Sequence, residues 1–301
     1  SQRDEGTTTP TTRGMTVDGA RRVAVLYATR DGQARRVAEH VASRLRGGGD
    51  AVDLDDVAYA PLDVPLRADL MTVLEQVRND PAVRVLVLNG GAGAFCAGGN
   101  LHALQEHANA GPAYWQRRIN AGLRLTDDLL NVGCPVIAAI DGPAIGAGFA
   151  LALSADMIIA SPRAKFAMAH LRLGLVPDLG ALYLLPRVVG LQRAKELVFS
   201  TRDVSADEAR ELGIVMEVHA SEALEARARD MAERMARAAP TAVALSKAML
   251  NASLDSDRQS AFALEAASQA AAFAAPEPAA QVEAILGKQR PAFSGLKYAR
   301  G

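Results

Sequence analysis

The sequence predicts an α/β fold whose sheets are covered on both faces. Three observations predict it. Short apolar runs at residues 83–88, 136–140 and 157–160 alternate with stretches of helical periodicity. Those runs lack the polar face that a half-exposed strand would show, as strands covered on both sides do. The last part of the chain, in pieces near 221–238, 241–252 and 258–286, reads as helix alone. Half of the 301 residues are apolar, enough for one large core or two modest ones, and only 4% are aromatic, so Ala, Leu and Val must fill it.

Taken in order, residues 1–20 begin with a run rich in Thr, Ser, Gly and Pro and carry no apolar signal-peptide region, so a disordered tail or cloning remnant is expected. Residues 21–57 hold an apolar run at 23–27, a polar turn at 28–33, an amphipathic stretch to Leu45 and a short alternation at 51–54. They predict a strand-helix-strand unit too small to stand alone. Leu66, Leu70, Val73, Leu74 and Val77 have helical spacing, and Pro81 ends that helix. The strand at 83–88 runs into Asn89-Gly90-Gly91-Ala92-Gly93, whose glycines allow dihedrals that side chains resist. A helix at about 113–130 precedes the strand at 136–140, and Asp141-Gly142-Pro143 then turns the chain into the small-residue run 144–150.

Composition excludes several functions. Lysine and arginine number 33 against 34 acidic residues, and no basic run is interleaved with aromatics, so nucleic acid is not an expected partner. The longest apolar stretches, 134–140 and 144–153, are broken well short of a membrane span. Two cysteines, Cys96 and Cys134, form neither a disulfide framework nor a zinc ligand set, so a cytoplasmic setting without a metal is expected.

Chemistry is expected at two glycine- and alanine-rich segments that each follow a buried strand, residues 94–101 and 142–149. Small side chains there let a ligand approach the backbone, and N–H groups at a helix start can hold a developing oxyanion. Either segment alone also reads as a tight packing turn. Together, Phe95-Cys96-Ala97-Gly98 before Asn100-Leu101, and Asp141-Gly142 followed by Gly146-Ala147-Gly148, resemble the two signature stretches of the crotonase (enoyl-CoA hydratase/isomerase) family. Lys165-Phe166-Ala167-Met168, Leu173-Gly174-Leu175-Val176-Pro177-Asp178, Leu184-Leu185-Pro186-Arg187 and the ending Gln289-Arg290-Pro291-Ala292-Phe293-Ser294-Gly295 extend the resemblance in order and spacing, from about Leu62 to the C-terminus.

The resemblance implies a ββα-spiral core over 58–235 and a C-terminal helical region over 236–301 that forms trimers, often paired into hexamers. It implies an acyl-CoA substrate, with coenzyme A entering as part of that substrate and no tightly bound cofactor. The implied oxyanion donors are the amides of Ala97 and Ala147. Gly98, Gly99, Asn100, Leu101 and Gly146 would line the thioester end, and Lys288 is either a contact to a CoA phosphate or a solvated side chain.

Hydratases of the family use two glutamates, and the matching positions here are Ala150 and His170. Asp178 falls where other members place a catalytic aspartate. The match is nearest to the phenylacetate-pathway ring-epoxide isomerase, which also works without the glutamate pair. The expected reaction is therefore isomerisation, with Asp178 moving a proton while the oxyanion hole holds the enolate. His170 could relay a proton or be a packed histidine, and Asp178 could instead cap the following helix. One alternative is a hydratase using His170 and Asp178; another is a CoA-thioester binder without catalysis. Cys96 reads as structural, and Trp115 as core or acyl-pocket lining.

The opening departs from the family. Its usual β-hairpin and Arg-Pro loop look absent or replaced, and residues 21–57 resemble the start of a flavodoxin-like domain of the protoporphyrinogen-oxidase type. The loops that would sandwich a flavin are missing downstream, so FMN is not expected.

Overall fold

The computed structural model of the chain describes residues 16–17, 21–27, 62, 64–90 and 93–296. Its main sheet runs in the order β1 (Thr16–Val17), β2 (Arg21–Tyr27), β3 (Val83–Asn89), β4 (Val136–Ile140), β6 (Met157–Ala160) and β9 (Glu217–Val218). All its neighbours are parallel except β1 and β2. A smaller sheet joins β5 (Pro143–Ile145), β7 (Lys165–Ala167) and β8 (Val204–Ser205).

Strand geometry sends alternate residues to opposite faces, and the burial follows that parity. Leu86, Leu88, Val136, Ala138, Ile140, Ile158 and Ala160 enter the large core, together with Leu66, Val73, Leu74 and Val77 of α1 (Val64–Asn79) and Leu125 and Leu129 of α3 (Pro112–Asn131). Val85, Val87, Ile137, Ala139 and Ile159 enter a second core, which Leu224, Ala228, Met231 and Ala232 of α8 (Ser221–Met235) close from the other side. Spacings of four, three and one place those four on one face of a helix. Each buried Val, Leu or Ile contributes about 1.5–3 kcal/mol, so both faces of the sheet pull the strands into register. This is the two-sided α/β arrangement that the apolar runs predict.

The remaining helices are α2 (Leu101–Glu106), α4 (Ala147–Leu153), α5 (Ala181–Val189), α6 (Leu191–Ser200), α7 (Ala206–Glu211), α9 (Pro240–Ala252), α10 (Arg258–Phe273) and α11 (Glu277–Leu286). The single helix expected over 258–286 is two, α10 and α11, because Pro276 has no N–H to give and its ring would collide with the preceding turn. Asp257 starts α10, its Oδ1 accepting from Gln259 N at 2.8 Å and Ser260 N at 3.1 Å. No helix among the described residues is long and apolar enough to cross a membrane.

At the N-terminus the apolar run becomes β2, which lies parallel to β3 with Val23 opposite Val85. The stretch expected to be a tail up to residue 20 contains β1, held by backbone pairing of Thr16 with Arg22 and Val17 with Arg21. Side-chain pattern carries no sign of such a two-residue ladder. The helix and second strand expected within 28–57 lie outside the described residues.

Two buried polar clusters tie elements together. Lys247 of α9 sends its ammonium to Leu129 O (3.0 Å), Cys134 O (3.2 Å) and Asp156 Oδ2 (2.8 Å), and Asp156 also accepts from Val136 N at 2.7 Å. One cation thereby joins α9, the end of α3 and the starts of β4 and β6. Glu217 of β9 accepts from Arg227 Nε and an Arg227 terminal nitrogen (2.7 and 2.8 Å), while His219 Nε2 lies 2.7 Å away.

Replacing Lys247 by Met leaves Asp156 and two carbonyls without their cation; urea unfolding is expected to show a loss near the lower end of the ~3–5 kcal/mol typical of a broken buried pair, since Asp156 keeps some water contact. The Arg227 guanidinium, helped by His219, holds the Glu217 carboxyl down to about 2. A depressed carboxyl contributes stability that is complete above its ordinary value of 4.5 and is lost as pH falls toward 2. Wild-type stability is therefore expected to exceed that of Glu217→Gln above that window and to converge on it by pH 2, by on the order of 3 kcal/mol in denaturant titrations.

Candidate active site

The two small-residue segments meet edge to edge. Phe95 N and Cys96 N both donate to Pro143 O (3.1 and 3.0 Å), and Ile145 N donates to Cys96 O (2.9 Å), a parallel bridge between Cys96 and Ala144. Side chains would prevent this approach. A Cβ on Gly148 would collide with Cys96 O, and one on Gly98, whose φ is +97°, would stand 2.8 Å from Ile145 O. The same Gly98 position is 3.7 Å from Ala147 N, so the chain just after the first zipped segment lies against the start of α4. Among the described residues no carbonyl accepts from the N–H of Ala97 or of Ala147. Two small-residue amides thus stand at neighbouring segment ends, Ala147 at the positive end of α4, an arrangement able to hold a developing oxyanion.

His170 lies in the 3₁₀ turn Ala169–Leu173 that follows β7. Its ring packs over Gly146, where a Cβ would stand 3.5 Å from Cε1, so the imidazole borders the residue preceding Ala147. His170 Nε2 is 3.1 Å from Asp178 Oδ1. A carboxylate can only accept, so Nε2 carries the proton. In the neutral ring Nδ1 is then an acceptor; it is buried and without a partner among the described residues. The imidazole is 91% covered whereas the Asp178 side chain keeps 28% exposure.

Asp178 does not cap the next helix. The N-cap of α5 is Gly180, with no side-chain cap bond, and Ala181 N takes the Asp178 backbone carbonyl at 3.0 Å. The carboxylate is directed to His170 instead. Ala150, at the position of the first family glutamate, is fully buried inside α4.

Other candidates lie apart. Asn100 Oδ1 caps α2 by accepting from Ala103 N at 3.1 Å, Leu101 is the exposed first residue of that helix, and Gly99 is exposed. Lys288 sits beyond α11, its N–H bonded to Ile285 O, and makes none of the ion pairs among the described residues. Trp115 is half-buried in neither core, edge-on to Tyr114 with Arg118 6.0 Å from its ring centre. Burial pushes the Cys96 thiol up to about 11, which leaves it protonated and removes it as a nucleophile. A cavity of about 900 Å³ is lined by Arg84, Lys247, Leu254 and Phe293 but by none of the candidate catalytic residues.

Residues that sequence reasoning missed are Thr126, whose hydroxyl donates to Leu179 O at 3.0 Å, and Gly122 one turn earlier. With Leu125 and Leu129 they form the buried face of α3, so the available signal was a glycine and a threonine at apolar positions.

Residues 52–295 match the model of the enoyl-CoA hydratase/isomerase family. The chain is 35% identical over 235 residues to the 1,2-epoxyphenylacetyl-CoA isomerase of Escherichia coli K12, covering 76% of this chain and 88% of that one. It is 37% identical over 208 residues to the carnitinyl-CoA dehydratase of Proteus mirabilis, covering 69% and 78%. The crystal structure of an enoyl-CoA hydratase/isomerase from Cupriavidus metallidurans CH34 matches with a TM-score of 0.79 at 64% identity, over 83% of this chain and 94% of that one. The fold expected from the two signature stretches is therefore present, and this chain belongs to the crotonase, or enoyl-CoA hydratase/isomerase, family of enzymes that act on CoA thioesters.

Proposed function

We propose that the protein is an enoyl-CoA isomerase, in which Asp178 takes a proton from C2 of a 3-enoyl thioester and returns it to C4. Loss of the C2 proton places negative charge on the thioester oxygen and spreads electron density to C4. The amides of Ala97 and Ala147 hold that oxygen, each donor lowering the barrier by about 3–4 kcal/mol. Reprotonation at C4 leaves the double bond between C2 and C3; no water or electrons enter or leave.

The observation that carries this reading is the 3.1 Å contact between His170 Nε2 and Asp178 Oδ1 beside Gly146. His170 Nε2–H holds one carboxylate oxygen, which fixes the other for the substrate. Asp178 is the carboxyl group paired with His170 among the described residues, Ala150 standing where the family places an acid, and one carboxylate is what a proton shuttle requires. The likeness to an isomerase of Escherichia coli points the same way.

A hydratase that positions water with His170 and Asp178 is the second reading. It is favoured by the bare, buried Nδ1, which could accept from a water, and by the likeness to a dehydratase. We also propose assembly into trimers or hexamers through the C-terminal helices, where Phe262, Phe273 and Leu286 are between 63% and 79% exposed.

Incubation with a 3-enoyl-CoA and, separately, a 2-enoyl-CoA in heavy water, followed by mass spectrometry, tests the assignment. Formation of the 2-enoyl isomer without added water is expected; hydration of the 2-enoyl ester would make the enzyme a hydratase. Asp178→Asn is expected to lower turnover by about 10²–10⁴-fold while CoA-ester binding persists. Full turnover in that variant would remove Asp178 from the chemistry, and binding with no turnover of any ester by the wild type would mark a non-catalytic binder.

A further inference from the structure

The turn that follows Asp178 has an unusual build. Leu179 is a non-glycine residue at φ +51°, and Gly180 follows at +74°, so two successive residues occupy the left-handed region. Leucine rarely rests there unless its surroundings impose it. Here they do. The Thr126 hydroxyl, buried inside α3, donates to Leu179 O at 3.0 Å, although 53 residues separate the two. The Leu179 side chain, 4% exposed, fills the notch left by Gly122, where a Cβ would stand only 2.6 Å from its Cδ2. A Cβ on Gly180 would in turn press on Thr126 Cγ2 at 3.2 Å.

The consequence is directional. Two left-handed residues reverse the chain immediately after Asp178, so that its backbone carbonyl meets Ala181 N while its carboxylate meets His170. Any relaxation of Leu179 toward ordinary dihedrals would rotate the peptide attached to Asp178 and swing the carboxylate away from Nε2. We infer that Thr126 and Gly122 are positioning residues, which hold Leu179 in the left-handed conformation and thereby set the carboxylate of Asp178 against His170. The inference deepens the isomerase reading and rests on it for its effect on turnover, but the geometry at His170 can be measured independently.

The test uses the intact chain and five variants, one of them, His170→Gln, for assignment alone. Thr126→Val keeps the shape and removes the hydroxyl; Thr126→Ser restores it; Gly122→Ala fills the notch; Asp178→Asn removes the shuttle. Turnover of a 3-enoyl-CoA is measured with KM and kcat separated. Ring nitrogen chemical shifts of His170, assigned with His170→Gln, report whether the Nε2–H tautomer is locked. Thr126→Val is expected to lower kcat by about 10- to 100-fold with KM within about twofold, the size of effect that a misplacement of about 1 Å produces. Its His170 signature should become a mixture of tautomers. Thr126→Ser should recover most of the turnover and the single tautomer. A folded Thr126→Val with wild-type kcat and an unchanged His170 signature overturns the inference. Should Thr126→Val not fold, Gly122→Ala carries the same test, because it acts on Leu179 at the far end of a flexible side chain. If Asp178→Asn keeps full turnover, the isomerase reading fails by itself, and the His170 signature of Thr126→Val still decides the positioning role.

Discussion

Three backbone hydrogen bonds between residues 95–96 and 143–145 are the constraint on which the site depends. They join a segment that leaves β3 to one that leaves β4, two strands already neighbours in the main sheet. Because the sheet fixes where those strands end, the bonds fix where Ala97 and Ala147 begin. Each bond is worth only about 0.5–1.5 kcal/mol net. Their effect is geometric, since they bring two amides to adjacent positions with no side chain between. The glycines at 98 and 148 are the condition for that closeness, and a methyl at either would push the segments apart.

Upon this base His170 and Asp178 are added from a different direction. His170 arrives from β7 of the small sheet, and β7 pairs with β5, which is itself part of the zipped segment. The ring over Gly146 is therefore placed by the same ladder that places Ala147. Asp178 has no such ladder. It stands in a turn whose Leu179 bears a backbone cost of about 1–3 kcal/mol. Burying the Leu179 side chain and pairing its carbonyl with Thr126 together contribute about as much, which is why the conformation persists.

Much of this was legible in the sequence, and the parts that were not share a cause. The strands of the main sheet were readable because Leu86, Val87, Ile137, Ala138 and Ile159 leave neither face polar. The two small-residue segments were readable as one place only as a pair, because a run such as 142–148 taken alone also reads as a packing turn. The strands β5, β7 and β8 were not, because two or three residues hold no period. The break at Pro276 is masked by small and apolar residues on both sides that continue the helical pattern over 258–286. An aspartate before a helical run reads as a cap, and for Asp178 that local reading loses to tertiary context: the helix starts two residues later, behind Gly180, and the carboxylate has a better partner eight residues upstream. The pairing of Thr126 with Leu179 joins residues 53 apart, and no local pattern predicts it.

The replacement of two glutamates by alanine and histidine changes what the same backbone can do. A pair of carboxyl groups can share one water, one removing a proton and the other supplying it. With Ala150 buried and aliphatic inside α4, one side of that arrangement is closed. While Nε2–H is engaged with Asp178, the neutral histidine has no second proton to supply, because its other nitrogen is an acceptor. In the proposed isomerase the pair therefore works as one base with a fixed orientation. A single oriented base opposite an oxyanion hole can remove a proton and return the same proton to another carbon of the enolate, whereas adding water would require a second group to hold the nucleophile. The bare Nδ1 is the one feature able to take that second part, and it could do so only by accepting from water rather than by donating a proton. The two readings therefore differ in one respect at this pair: the hydratase needs a water held on Nδ1, whereas the isomerase leaves that nitrogen unused.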